Sequence, residues 1–235
     1  METSCWTGLS TDPSEPLSKG LLFLVIAAGL LVGMDDVFAQ LVTDPVGDTF
    51  GSGAVQPDIT SVEAQNGGNA LTFTISFALA IAAPSQNRPE SVTGYLDIDV
   101  DRQASTGATS FTELFSPGPA LALGAEVAVD LFSEADHAGK CDVLDAQTGS
   151  VISTIPISYG LKNLTFSVPL ALLSGSSGAV NYAVIVGTLD EATDRIPNGS
   201  TPLSTVPEPQ GGSLAFAVIA VIAAMVIRRE RLCWR

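Results

Sequence analysis

The chain is poor in the residues that most often do chemistry. Of its 235 residues one is histidine, three are cysteine and two are tryptophan, and Lys+Arg number 10 against 25 Asp+Glu. A Ser-His-Asp triad would have to use His137, which sits in the polar stretch Glu134-Ala-Asp-His-Ala-Gly139 with no G-x-S-x-G elbow anywhere in the chain. No P-loop or G-x-G-x-x-G fingerprint occurs either. Cys5, Cys141 and Cys233 are far apart and form no C-x-x-C motif. The formal charge of −15 argues against a nucleic-acid partner and for a solvated acidic surface.

What is abundant lies at the two ends. Residues 17–33 hold one lysine and then an apolar stretch, followed by Val37-Phe-Ala39. Small residues or valine at −3 and −1 predict secretory cleavage between Ala39 and Gln40, so that 1–39 is a signal peptide with an extended, unusually acidic leader. At the other end Pro207-Glu-Pro209 precedes an apolar run at 214–227, and a basic tail at 228–235 carries Arg228, Arg229 and Arg231. The run predicts a short transmembrane helix, with the arginines held on the cytoplasmic side and everything before it exported. Removing both ends leaves Cys141 as the sole cysteine and no tryptophan, which excludes an intrachain disulfide and a structural zinc site in the remainder.

Between the ends, Leu71-Thr-Phe-Thr-Ile-Ser-Phe77 alternates strictly, with Leu71, Phe73, Ile75 and Phe77 on one face. Similar patterning predicts strands over 58–64, 95–100, 126–132, 150–155 and 163–168, and the more uniformly apolar 180–186 reads as a central strand, all separated by Gly, Pro, Ser and Asn turns. The stretch 77–83 reads equally as strand or short helix, and 170–173 as one helical turn. The expected fold class is all-β, an antiparallel, jelly-roll-like β-sandwich over 40–196, with a linker at 197–206 and the tail at 207–235.

Two acidic groupings stand out. Asp97, Asp99 and Asp101 at i, i+2 and i+4 would share one face of a regular strand, where like charges repel unless a hard cation collects their oxygens. Calcium suits such a site, although Arg102 stands where an EF-hand needs glycine; a solvated strand edge is the competing reading. Asp44 and Asp48, pooled with Asp190 and Asp194, would let calcium tie the first part of the domain to the last if those strands are neighbours. Asx-turns at strand ends are the plainer alternative.

The C-terminal order of Pro207-Glu208-Pro209, apolar helix and arginine cluster resembles the PEP-CTERM sorting signal of Gram-negative bacteria. That resemblance implies a membrane-embedded exosortase-type processing enzyme as partner, transient residence in the inner membrane, and delivery to the cell surface or a biofilm matrix rich in extracellular polysaccharide. Asp44-Pro-Val-Gly-Asp48 and Tyr95-Leu-Asp-Ile-Asp-Val-Asp101 with Ser105-Thr-Gly107 resemble elements of carbohydrate-binding-module or DOMON-like jelly rolls. The expectation is therefore a non-enzymatic structural or adhesive surface protein, calcium-stabilised, with no other cofactor. A polysaccharide-binding module and a secreted hydrolase stay open as alternatives, and so does a tail kept as a permanent anchor. The absence of tryptophan weighs against stacking on sugars.

Overall fold

A computed structural model describes residues 38–53, 56–85, 88, 90–173 and 178–205. The expected signal segment, the apolar run 214–227, and Pro207, Glu208, Pro209, Arg228, Arg229 and Arg231 lie outside the described residues. Among the described residues no helix is long and apolar enough to cross a membrane.

The strands are β1 (Phe38–Thr43), β2 (Ile59–Asn66), β3 (Ala70–Phe77), β4 (Thr93–Asp99), β5 (Val127–Asp130), β6 (Lys140–Asp145), β7 (Val151–Tyr159), β8 (Asn163–Pro169), β9 (Asn181–Gly187), β10 (Ala192–Ile196) and β11 (Leu203–Ser204). Among the described residues there are also a short helix, α1 (Phe111–Phe115), and two 3₁₀ turns, Phe132–Ala135 and Leu170–Leu172. Every strand pair is antiparallel, in the spatial order β1-β2-β3-β8-β7-β6-β5-β4-β9-β10, with β11 also on β9. The all-β, antiparallel expectation thus holds as a single sheet curled into a half-barrel.

Alternation explains the central strands. In β3, Leu71, Phe73, Ile75 and Phe77 are buried while Thr72, Thr74 and Ser76 are half-buried on the far side. There the hydroxyls of Thr72 and Ser167 (2.8 Å) and of Thr74 and Thr165 (3.1 Å) pair across β3 and β8. Side-chain pairs of this kind stabilise a sheet by a few tenths to about 1 kcal/mol each.

The curl happens at β7. Its first part pairs with β6, as in Cys141 opposite Ile155, and its last three residues pair with β8, as in Ile157 opposite Phe166. Pro156 stands at the changeover. Without an N–H it cannot serve a continuous ladder, so a proline is tolerated where the strand changes partners. The fold-over brings the two halves' apolar faces together around one core. Phe73 of β3 meets Tyr182 of β9 edge-on at 5.3 Å and Phe166 of β8 at 5.8 Å.

The connection from β4 to β5 lies over the outer face of the second half. Leu121, Leu123 and Ala125 pack there on Ala183 as a small second core. Its two arms approach too closely for side chains: Cβ atoms at Gly107 and Gly124 would stand 2.5 Å from the carbonyl oxygens of Gly124 and Thr106, and both residues have positive φ.

Several elements differ from the sequence expectation. The stretch 77–83 continues neither as strand nor as helix after Phe77, whereas 170–172 does form the expected turn. Strands β1, β6 and β10 and helix α1 were not predicted, and β1 begins at Phe38, inside the stretch read as signal peptide. Residues 203–204, inside the stretch read as a linker, pair with β9, and Thr205 beside them is buried, accepting the Val180 N–H at 2.9 Å.

Candidate functional site

The chain leaves β1 through the turn Asp44-Pro-Val-Gly-Asp48, where Gly47 takes φ +86°. The turn is held down by Gly47 N–H, which donates to Asp58 Oδ2 at 2.8 Å just ahead of β2. From the other end of the domain β10 comes alongside: Phe50 N–H donates to Thr193 O (2.8 Å), and Thr193 Oγ1 donates to Pro57 O (2.7 Å). This pairing carries Asp194, which is 0 % exposed, beneath the turn.

The result is a knot of carboxylates. One oxygen from each of Asp44, Asp48 and Asp194 lies within 4.8 Å of the others. Asp194 accepts from the backbone N–H groups of Ile59 (2.6 Å) and Arg195 (2.8 Å). The Asn198 amide bridges Asp44 Oδ1 (2.9 Å) and Asp48 Oδ2 (2.6 Å). Two buried oxygens, Asp44 Oδ2 and Oδ1 of Asp58 (8 % exposed), have no hydrogen-bond partner among the described residues. Arg195 brings no relief, since its guanidinium turns away to Pro119 O (3.0 Å) and Asn198 O (3.1 Å).

Burial, and then the charges of Asp194, Asp48 and Asp58, push Asp44 up to about 7. Burial likewise raises Asp194 to about 7, with Asp48 and Asp58 adding to it against the two backbone hydrogen bonds. Oxygens on opposite sides of a calcium ion stand roughly 4.6–5.2 Å apart, given ligand distances of about 2.3–2.6 Å. The three oxygens, all within 4.8 Å of one another, are close enough to share one divalent cation. Of the four residues pooled from the sequence, Asp44, Asp48 and Asp194 are thus brought together. Asp190 is exposed in the turn between β9 and β10 and is not among them.

The three aspartates of the β4 region divide. Asp99 and Asp101 join Glu126 in a second cluster within 4.8 Å. Its oxygens are largely engaged: Asp99 by Asn181 Nδ2 (3.2 Å) and Gln103 N–H (3.1 Å), Asp101 by Thr106 Oγ1 (3.0 and 2.9 Å), and Glu126 by Val100 N–H (2.7 Å). This is a hydrogen-bonded loop as much as a cation site. Asp97, 0 % exposed, stands apart and serves α1, accepting from Phe111 N–H (3.2 Å), Thr112 N–H (2.7 Å) and Thr112 Oγ1 (2.7 Å).

Burial raises Asp97 to about 6 against those three bonds. Asp97→Ala is expected to cost about 2–3 kcal/mol, because it leaves buried donors of α1 unpaired. Asp97→Asn, which keeps an acceptor, should cost about half as much. Urea unfolding at neutral pH would check both values.

Asp58, Glu126 and Asn198 were not read from the sequence as parts of these groups. Glu126 is separated from Asp101 by a long excursion, and only the pairing of β4 with β5 returns it there. Asp58 could have been suspected as an acid opening a strand beside the Asp44–Asp48 turn. The residues considered for catalysis, His137 and Cys141, lie in the turn before β6 and in β6. His137 is more than half exposed, with Nδ1 3.9 Å from Asp142 Oδ2. Cys141 is buried, and burial followed by Asp130, Asp142 and Glu134 pushes its thiol up to about 12, away from a reactive thiolate. No protein-family model matches the chain, and no curated protein matches it.

Proposed function

We propose that this protein is an exported, non-enzymatic structural or adhesive component of the cell surface or extracellular matrix, stabilised by calcium. The curled sheet is read as a jelly-roll-like sandwich, and the cation as a clasp between the start and the end of the domain. The observation that carries the calcium reading is the Asp44–Asp48–Asp194 knot. Among the described residues no cation faces it, and two buried carboxylate oxygens beside it, on Asp44 and Asp58, have no hydrogen-bond partner. Asp44, Asp48, Asp58 and Asp194 would hold the ion, and half a turn of the Asn198 amide would present its Oδ1 as a further ligand. Bare carboxylates gathered this closely oppose folding, and a divalent cation reverses that sign.

Export and sorting are supported by the terminal segments: cleavage between Ala39 and Gln40, then recognition of Pro207-Glu208-Pro209 by an exosortase-type enzyme while the apolar run halts in the inner membrane. The bond between Ala39 and Gln40 falls inside β1, so cleavage there must precede folding of that strand. The test is the intact mass of the protein recovered from its native host, from membranes and from culture fluid. A chain running from Gln40 to near Pro209 is the expected result. A mass retaining Arg235 would make the tail a lasting anchor and overturn the sorting reading.

A further inference from the structure

Three separate parts of the chain bring aromatic rings together beside β4. Tyr95 of β4 stacks on Phe111 of α1 (centroids 4.1 Å, planes 17° apart), and Phe115 lies nearly parallel to both at 6.0 and 6.2 Å. Phe132, from the 3₁₀ turn after β5, closes on Tyr95 at 5.5 Å and 45°. The rings are not sealed into the core, since Phe115 is 53 % exposed. A pocket of about 290 Å³ is lined by Tyr95, Phe115 and Phe132 together with the β9–β10 turn, Gly187 to Ala192. That volume is near the lower end of small-ligand sites, which run from about 300 Å³ upward.

Charge around this pocket has one sign. Asp190 and Glu191 line it, and among the described residues no Lys, Arg or His does. Glu191 is fixed in place, accepting from Ser52 N–H and Oγ (both 2.8 Å) and from Gly53 N–H. Those bonds, the Ser52 hydroxyl first, hold its carboxyl below the usual carboxylate range, so it stays ionised. Burial, with the charges of Asp130 and Asp97 added, raises the Tyr95 phenol to about 12, so the phenol is neutral at physiological pH. The pocket therefore combines aromatic rings, whose faces carry the negative part of their quadrupole, with carboxylates and no counter-charge.

We propose that this pocket binds an organic cation whose nitrogen is wrapped in methyl groups, a quaternary or multiply methylated ammonium. Such an ion matches the pocket twice. Its charge is drawn by the rings and by Asp190 and Glu191, and its methyl groups pack on the rings and on Ile185 and Leu189. A calcium ion matches neither property, because it collects about six to eight oxygen ligands and those of Glu191 are already engaged. A primary ammonium is compact and strongly hydrated, so it gives up its water to an apolar wall less readily. Anions are disfavoured by the chain's charge of −15. Asp190 and Glu191 belong to neither carboxylate cluster, so the inference goes beyond the calcium reading and stands without it.

The experiment uses the purified full chain, with choline as the probe. The control is its uncharged isostere, in which a tert-butyl group replaces the trimethylammonium. Proton NMR of the probe reads the affinity and the upfield shift that ring currents impose on its methyl groups. Choline should bind with a Kd of about 1 mM, and the isostere at least about tenfold more weakly. Phe115→Leu keeps apolar volume but removes the ring, and should weaken choline binding about fivefold to tenfold. Its melting temperature should barely move, because the side chain is half in solvent. Asp190→Asn should weaken binding about threefold and reduce its sensitivity to salt. Glycerophosphocholine tells the sources apart: competition at least as strong as choline's assigns a lipid headgroup, and weaker competition assigns a free ion. The proposal is overturned by no choline binding at about ten times the expected Kd, by equal binding of the isostere, by unchanged affinity in Phe115→Leu, or by displacement of choline by calcium, which would place the probe in the carboxylate knot.

Discussion

Adding calcium to the metal-free protein at pH 8 is expected to raise its melting temperature by about 5–10 °C. Saturation at about 100 times Kd stabilises a folded state by about 2.7 kcal/mol. For a domain of this size each kcal/mol moves the midpoint by roughly 2–4 °C. Asp194→Asn separates the charge from the fold. It retains an acceptor for Ile59 N–H but removes one carboxylate from the knot, so the metal-free variant should melt at or slightly above the parent's temperature while losing the calcium response. An unchanged melting curve on adding calcium to the parent would remove the clasp from the account of this protein.

The same carboxylates set the pH dependence, and its direction is unusual for acidic residues. Asp44 and Asp194 titrate near 7 in the folded protein against an ordinary 3.8, so the folded state holds protons that the unfolded chain has released. The stability they contribute is fully present below about pH 4 and is lost as pH rises through about 7. Partial exposure of Asp44 reduces its share of that loss, so the larger part falls on Asp194. Without calcium, then, the protein should melt higher at pH 5 than at pH 8. With calcium the order should narrow or reverse, because the ion competes with protons for the same oxygens and holds best where they are ionised. Melting curves at the two pH values, with calcium and with chelator, give all four numbers.

The second large effect lies in the core. Phe73→Ala is expected to destabilise the domain by about 3–5 kcal/mol, since the ring is 0 % exposed and joins Phe166 of its own half to Tyr182 of the other. Its loss opens a cavity between the two halves of the curled sheet that neither can fill by moving alone. A comparable change on the surface, Leu161→Ser at 76 % exposure, should stay within about 0.5 kcal/mol. Urea midpoints report both; a Phe73→Ala midpoint matching that of Leu161→Ser would mean that the halves do not share one core.

Strand formation was legible wherever one face of a strand meets the core and the other meets water. In β3 and β8 the period of two survives in the burial of every second residue, so alternation alone identifies both strands and their inward sides. The same rule fails at β6 and β10. Lys140-Cys-Asp-Val-Leu-Asp145 and Ala192-Thr-Asp-Arg-Ile196 are rich in polar residues, yet Asp142, Thr193, Asp194 and Arg195 are buried because other segments lie over them. Burial on both faces erases alternation, and hydrogen bonds from distant backbone make the polar residues tolerable there.

For the acidic groups, spacing in the chain pointed to Asp44 with Asp48 and to Asp97 with Asp99 and Asp101, and of these pairings the fold kept the ones whose side chains the backbone leaves on one side. Which distant acid joins each group was decided by strand pairing. Asp194 reaches the first turn because β10 runs beside residues 50–59, and Glu126 reaches Asp101 because β5 pairs with β4. Asp97 leaves its neighbours because α1 settles over it and supplies donors. The aromatic pocket belongs wholly to this second kind. Tyr95, Phe115 and Phe132 carry no shared pattern in the chain: Phe115 reaches Tyr95 because α1, in the β4–β5 connection, lies back on β4, and Phe132 reaches it because β5 pairs with β4.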